Sequence, residues 1–175
     1  MDDFLLLSLD KVPNVVYAGT FFLLCIIIVM SFLFCRSLAS LKRTLLGAVL
    51  IEYLFLVLCT TVLCRDTTPV ARMKLTPLYS YGEIEAGNDI FLYEVILNVV
   101  LFIPIGLIVS SFARLRHWWI VVLVGVVFSV CIELLQYTFH RGLCETDDVI
   151  HNTMGCLIGY LIFEGLNKCE KMISN

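Results

Sequence analysis

A few ionisable and amide side chains stand out because the sequence around them is apolar. Glu133 and Gln136 lie three residues apart near the end of one apolar run, and Asn98 lies four residues after Glu94 in another. Arg141, Asp147, Asp148, His151 and Asn152 follow closely. A carboxyl group at a membrane boundary can act as general acid or base. Glu133 with Asp147 or Asp148 thus has the makings of a catalytic pair, with Arg141 stabilising developing negative charge. Arg141 is also the natural counter-ion for Glu133, Asp147 or Asp148. The same arginine, with the amides of Asn98, Gln136 and Asn152, suits recognition without reaction, because its planar fork holds phosphate or carboxylate by paired hydrogen bonds. A third reading is an interhelical clasp made by Glu133, Gln136, Arg141 and Asn152, with Asp147 and Asp148 capping a helix. Six or more polar groups exceed what one clasp needs, which favours a polar pocket. A metal site would draw on Asp147, Asp148, His140, His151 and Cys144. The chain has no HExxH or CxxC spacing, and adjacent acids on a helix diverge by about 100°. No metal and no cofactor is therefore assigned.

The elements that must carry these groups are membrane helices. Of 175 residues, 60% are apolar and 15% charged, with a mean hydropathy of +0.95. Soluble domains are typically about 45–50% apolar and about 25% charged. A net charge of −3 and no broad basic field exclude a nucleic-acid partner. A helix crosses a bilayer with roughly 20 apolar residues, and five stretches qualify: about 15–35, 45–64, 91–112, 118–138 and 149–166. The fifth is the shortest and could instead be re-entrant. The expected fold is all-α, a polytopic transmembrane bundle forming one membrane domain over 1–175. Pro104 should kink the third span, and Gly155 and Gly159 form a small-xxx-small step suited to close helix packing.

Basic residues set the orientation. Arg36, Lys42, Arg43, Arg114, Arg116, Lys168 and Lys171 share one side, against Lys11, Arg65, Arg72, Lys74 and Arg141 on the other. The N-terminus is accordingly expected outside and the C-terminus in the cytoplasm. Asn98, Glu133, Gln136 and Asn152 then converge in the outer half of the membrane. Reversing the topology would move this cluster but not disperse it.

The residues of the cluster also carry a resemblance. NVVLFIPIGL (98–107), IELLQ (132–136), Arg141 and DDVIHNTMGCLIGY (147–160) resemble the VanZ-like family of bacterial membrane proteins over about 45–165. The matches are Asn98, Phe102, Pro104 and Gly106; Ser129, Ile132, Glu133 and Gln136; Arg141; and Asp147, Asp148, Asn152, Gly155 and Gly159. RMKLTPLYSY (72–81) is similar to a family loop motif, with Lys74 and Leu78 departing from it, and Glu145 stands where the family has an aspartate. Arg72, at the head of that loop, joins the binding set. The resemblance implies a bacterial cytoplasmic membrane, a role in the cell envelope, and tolerance of teicoplanin, a glycopeptide that binds cell-wall precursors. It names no reaction.

Two functions remain open. One is an outward-facing pocket that recognises an envelope lipid or lipid-linked cell-wall precursor. The other is a membrane-embedded hydrolase or transferase on a lipid-linked sugar or phosphate, with Glu133 as acid or base. Membrane lipids are partners in both. Of the eight cysteines, Cys64 and Cys144 fall near the outer surface, where a disulfide could join them.

Overall fold

The structure, a computed structural model, describes residues 12–35, 37–112 and 115–173. Lys11, Arg36 and Arg114, used above for orientation, lie outside them. The chain divides into two compact units, Met1–Asp66 and Thr67–Asn175.

The first unit is a pair of long helices, α1 (Asn14–Phe34) and α2 (Leu38–Leu58), the second ending in a π-helical turn over Cys59–Leu63. α2 starts seven residues earlier than hydropathy alone suggests. The Ser37 hydroxyl accepts from Ser40 N at 3.2 Å and fixes the start, so Lys42 and Arg43 become part of the helix. At the other end, the hydroxyls of Thr60 and Thr61 both donate to the Val57 carbonyl. That competition with the backbone accompanies the wider i→i−5 bond from Cys64 N to Cys59 O.

The second unit runs β1 (Arg72–Lys74), α3 (Tyr79–Glu85), α4 (Asp89–Ser111), α5 (Trp118–Phe139), β2 (Leu143–Glu145) and α6 (Thr146–Ile173). α4 continues unbroken through Pro104. α6 is not the short element expected. Its 28 residues span about 40 Å at 1.5 Å per residue, enough to cross a bilayer. Its early start comes from the two acids of its first turn, which suit a helix N-terminus. The two strands and α3 are additions to the all-helical expectation. β1 and β2 pair in parallel, Arg72 opposite Leu143 and Lys74 opposite Glu145. They lie between spans, where open strand edges are tolerated.

Among the described residues, five helices are long and apolar enough to cross a membrane. Large apolar side chains such as Phe21, Phe22, Leu123, Val127 and Leu161 face outward, as lipid requires. Inside the second unit, Phe102, Ile105, Val121, Ile132 and Cys156 are almost fully buried.

Three glycines hold α4 and α6 together. A Cβ on Gly155 would strike the Val99 carbonyl, one on Gly159 the Ile103 carbonyl, and one on Gly106 the Cys156 carbonyl. A Cβ on Gly125 of α5 would lie only 3.0 Å from the Cys156 side chain, tighter than an ordinary contact. The backbones therefore touch without side chains between them, as small-residue seams permit. Gly155→Ala should destabilise the protein by about 1–3 kcal/mol through overpacking. Gly19→Ala, in α1, where nothing lies within 4 Å of the added Cβ, should be neutral or better by up to about 1 kcal/mol. Thermal melting in detergent compares the two.

Candidate functional site

The polar side chains gather in the second unit, where α5 ends and α6 begins. Ser129, Glu133 and Gln136 recur at helical spacing on the buried face of α5. At the end of α5, His140 takes a left-handed conformation (φ 54°) and Arg141 N donates to the Gln136 carbonyl at 2.8 Å. The chain reverses there, and Gly142 (φ 140°) leads into β2. This reversal returns β2 to the bundle, where Glu145 N donates to Glu133 Oε2 at 2.7 Å.

α6 then presents three polar faces. Asp148 Oδ1 accepts from Asn98 Nδ2 of α4 at 2.7 Å. One turn deeper, Asn152 Nδ2 donates to Ser129 Oγ of α5 at 2.8 Å. Asp147 turns elsewhere. Its Oδ1 accepts from Leu78 N at 2.5 Å, and its Oδ2 accepts from both the backbone N and the hydroxyl of Ser80 at 2.8 Å. His151 Nε2 meets the Tyr81 hydroxyl at 3.3 Å. Asp147 and His151 thus fasten the 78–81 segment to the first turns of α6.

Of the residues singled out from sequence, Asn98 and Asp148 touch, and Glu133 and Asn152 take part in bonds across the same bundle. Gln136 lies on the Glu133 face, and Arg141 follows it in the turn. Arg72 sits exposed on β1, one strand away from β2. Glu133, Gln136, Arg141, Glu145 and Asp148 are each engaged with other groups. Three expectations change. Asp147 and Asp148 stand inside the first turn of α6 rather than capping it. The counter-ion role considered for Arg141 at Asp147 is filled by the donors of Leu78 and Ser80. The thiols of Cys64 and Cys144 are both free.

Exposure across the cluster is graded. Glu133, Gln136, Asp147, His151 and Asn152 are between 1% and 4% exposed, whereas Asn98, Arg141 and Asp148 are half-buried. Asn152 Oδ1 and Thr153 Oγ1 are buried without a hydrogen-bond partner among the described residues. Among the described residues no three His, Cys, Asp or Glu side chains come close enough to hold a metal ion.

Sequence reasoning missed Ser80, Tyr81 and the backbone of Leu78 as members of this network. Nothing local to 78–81 signals that an aspartate 67 residues later will hold it. Ser129 was detectable, since it continues the Glu133–Gln136 face one turn deeper. A second ionic contact lies away from the cluster. The Arg116 guanidinium meets both oxygens of Glu164, at 2.5 and 3.0 Å. The carboxylate holds the guanidinium even more firmly protonated than usual.

Two outcomes follow from this geometry. Asp147→Ala removes the acceptor for three donors, two of them backbone. Charge-assisted bonds of this kind are worth about 1.5–3 kcal/mol each, so hydrogen exchange at Leu78 and Ser80 should accelerate by at least tenfold, while exchange in the middle of α5 stays slow. The Cys144 thiol is pushed up by partial burial and then by the charges of Glu133, Asp148 and Glu145. Less of it is thiolate at a given pH, so maleimide alkylation should be slow at neutral pH and rise only above the usual thiol range. Glu133→Gln deletes one of those charges and should move the alkylation profile to lower pH, as read by peptide mapping.

Comparison with known proteins identifies the family. The VanZ/LLP1 family profile matches residues 20–167, more of the chain than the motifs alone cover, and includes every residue of the cluster. Protein VanZ of Enterococcus faecium is 30% identical over 131 residues, 73% of this chain and 76% of the relative. No solved structure matches. With five helices able to span a bilayer and the family pattern matched over most of its length, the chain is a multi-pass membrane protein that belongs to the VanZ/LLP1 family.

Proposed function

We propose that the protein recognises an envelope lipid or lipid-linked cell-wall precursor through the polar cluster at the junction of α5 and α6, and that this recognition underlies tolerance of teicoplanin. The observation that carries the reading is the gradation of the cluster. Buried groups (Glu133, Gln136, Asn152) lie behind half-buried ones (Asn98, Arg141, Asp148), with exposed Arg72 on the neighbouring strand. Arginines suit phosphate because the guanidinium offers two parallel donors. The buried Asn152 Oδ1 supplies an acceptor that no described residue uses, as a bound hydroxyl or amide donor would require.

The orientation belongs to the same proposal. With the N-terminus outside and the C-terminus in the cytoplasm, the α5–α6 junction lies at the outer face of a bacterial cytoplasmic membrane, where cell-wall precursors are exposed to glycopeptides. Seven Lys and Arg in the loops and helix ends of the opposite face, against five on this one, support it.

The enzymatic alternative assigns Glu133 as acid or base with Asp147 or Asp148 as its partner. Asp147 already accepts three hydrogen bonds from the 78–80 segment, which favours an anchoring role for it. Asp148 is bound to Asn98, and recognition needs no second free carboxylate. Replacement in cells separates the two readings. Arg141→Ala should abolish teicoplanin tolerance at unchanged membrane abundance, whereas Glu133→Gln and Asp148→Asn should keep it. Loss of tolerance in a folded Glu133→Gln protein, with turnover of a labelled envelope lipid by the purified wild type, would overturn recognition in favour of catalysis.

A further inference from the structure

Residues 67–81 present a surface that neither the spans nor the polar cluster accounts for. The stretch TTPVARMKLTPLYSY contains two basic side chains and no acidic one. It lies outside the five spans, yet Val70, Met73, Leu75, Leu78 and Tyr81 are 67, 50, 62, 57 and 43% exposed. Clustered exposed apolar side chains outside a membrane segment mark an interaction surface.

Its anchors locate it. Thr68 donates to the His140 carbonyl through both its N–H (2.7 Å) and its hydroxyl (3.1 Å), and His140 ends the span of α5. β1 pairs with β2, which leads directly into α6. Asp147, the second residue of α6, holds Leu78 and Ser80. All three anchors sit where spans end, so the stretch is fixed at the depth where helices leave the hydrocarbon. Leu78 adopts φ 61°, a left-handed conformation costing a leucine roughly 1–2 kcal/mol. Its side chain nevertheless stays more than half exposed, so little packing within the protein offsets that strain. Arg72 is exposed, and the Lys74 ammonium lies 3.7 Å from the centre of the Tyr79 ring. The Tyr79 hydroxyl donates to Glu83 at 2.5 Å and is held protonated to higher pH by that bond.

We propose that residues 67–81 form an interfacial strap that seats Val70, Met73, Leu75 and Leu78 at the headgroup–acyl boundary of the membrane the protein spans, with Arg72 and Lys74 against anionic lipid headgroups. Apolar side chains at such a boundary sink about 5–10 Å, while Arg and Lys keep their charged ends in the headgroup layer. The stretch itself carries two positive charges and no negative one, and Arg72, exposed on β1, is the charge most open to an anionic surface, Lys74 being paired across the strands with Glu145. The proposal does not depend on what the polar cluster recognises. Arg72 enters both readings, but the strap is tested by fluorescence rather than by tolerance.

The chain has two tryptophans, so a single reporter is accessible. Leu75→Trp in a Trp118→Phe, Trp119→Phe background is reconstituted as the full chain into vesicles of phosphatidylcholine with or without phosphatidylglycerol. Lipids brominated near the headgroup end of their chains should remove most of the emission, lipids brominated near the chain ends little of it, and aqueous acrylamide little of it. Phosphatidylglycerol should strengthen the shallow quenching, and Arg72→Gln with Lys74→Gln should remove that preference. Val70→Trp carries the same test if Leu75→Trp does not fold. Full acrylamide quenching without bromolipid quenching would overturn the proposal, as would protection from both, which means a protein partner or second copy covers the strap. A preference for phosphatidylglycerol that survives the double glutamine variant would also overturn it.

Discussion

The backbones of α4 and α6 touch, and the polar cluster exists because they do. Gly106, Gly155 and Gly159 leave no side chain between the helices. A side chain as short as Asp148 can then reach Asn98 at 2.7 Å. Hydrogen bonds between membrane helices are worth only about 0.6 kcal/mol on average, too little to pull separated helices together. The seam brings the helices close, and the polar pairs select one register within it. α5 joins through the near contact of Gly125 with Cys156 and the bond between Ser129 and Asn152. Glu133 ties in β2, and with it the turn carrying Arg141.

The two adjacent aspartates show how one short sequence serves two purposes. Asp147 looks out of the bundle and fastens the 78–80 backbone, whereas Asp148 looks across to α4. About 100° separates consecutive positions on a helix, so each acid meets a different element. The connection between spans thereby becomes part of the folded unit. Arg72 and Arg141 belong to the same end of the bundle, one on β1, paired opposite Leu143, and the other in the turn before β2. The proposed recognition surface would thus be fixed before ligand arrives, which lowers the ordering cost of binding.

The spans were legible because a bilayer demands about 20 apolar residues, and helices α1, α4 and α5 begin and end within two residues of the hydropathy estimate. The Gly155–Gly159 step and the Glu133–Gln136 face were legible too, because helical periodicity places such residues on one side. Helix ends governed by polar residues were not. Ser37 starts α2 among charged residues, and the acids of α6 extend it beyond its apolar stretch. β1, β2 and α3 were hidden because their partners are distant: Lys74 pairs with Glu145, and Ser80 with Asp147. Such non-local contacts leave no periodic trace. Arg141 was read as a counter-ion to three candidate acids, and at Asp147 backbone donors take that place instead.

A double-mutant cycle on Asn98 and Asp148 tests the central claim most directly. Unfolding free energies are measured in bicelles for the wild type, Asn98→Ala, Asp148→Ala and the double variant. Contact between α4 and α6 at this point predicts a favourable coupling of about 0.5–2 kcal/mol, with the double variant little less stable than the worse single one. Strict additivity would mean that the two side chains meet separate surroundings, contradicting the convergence on which the site is built.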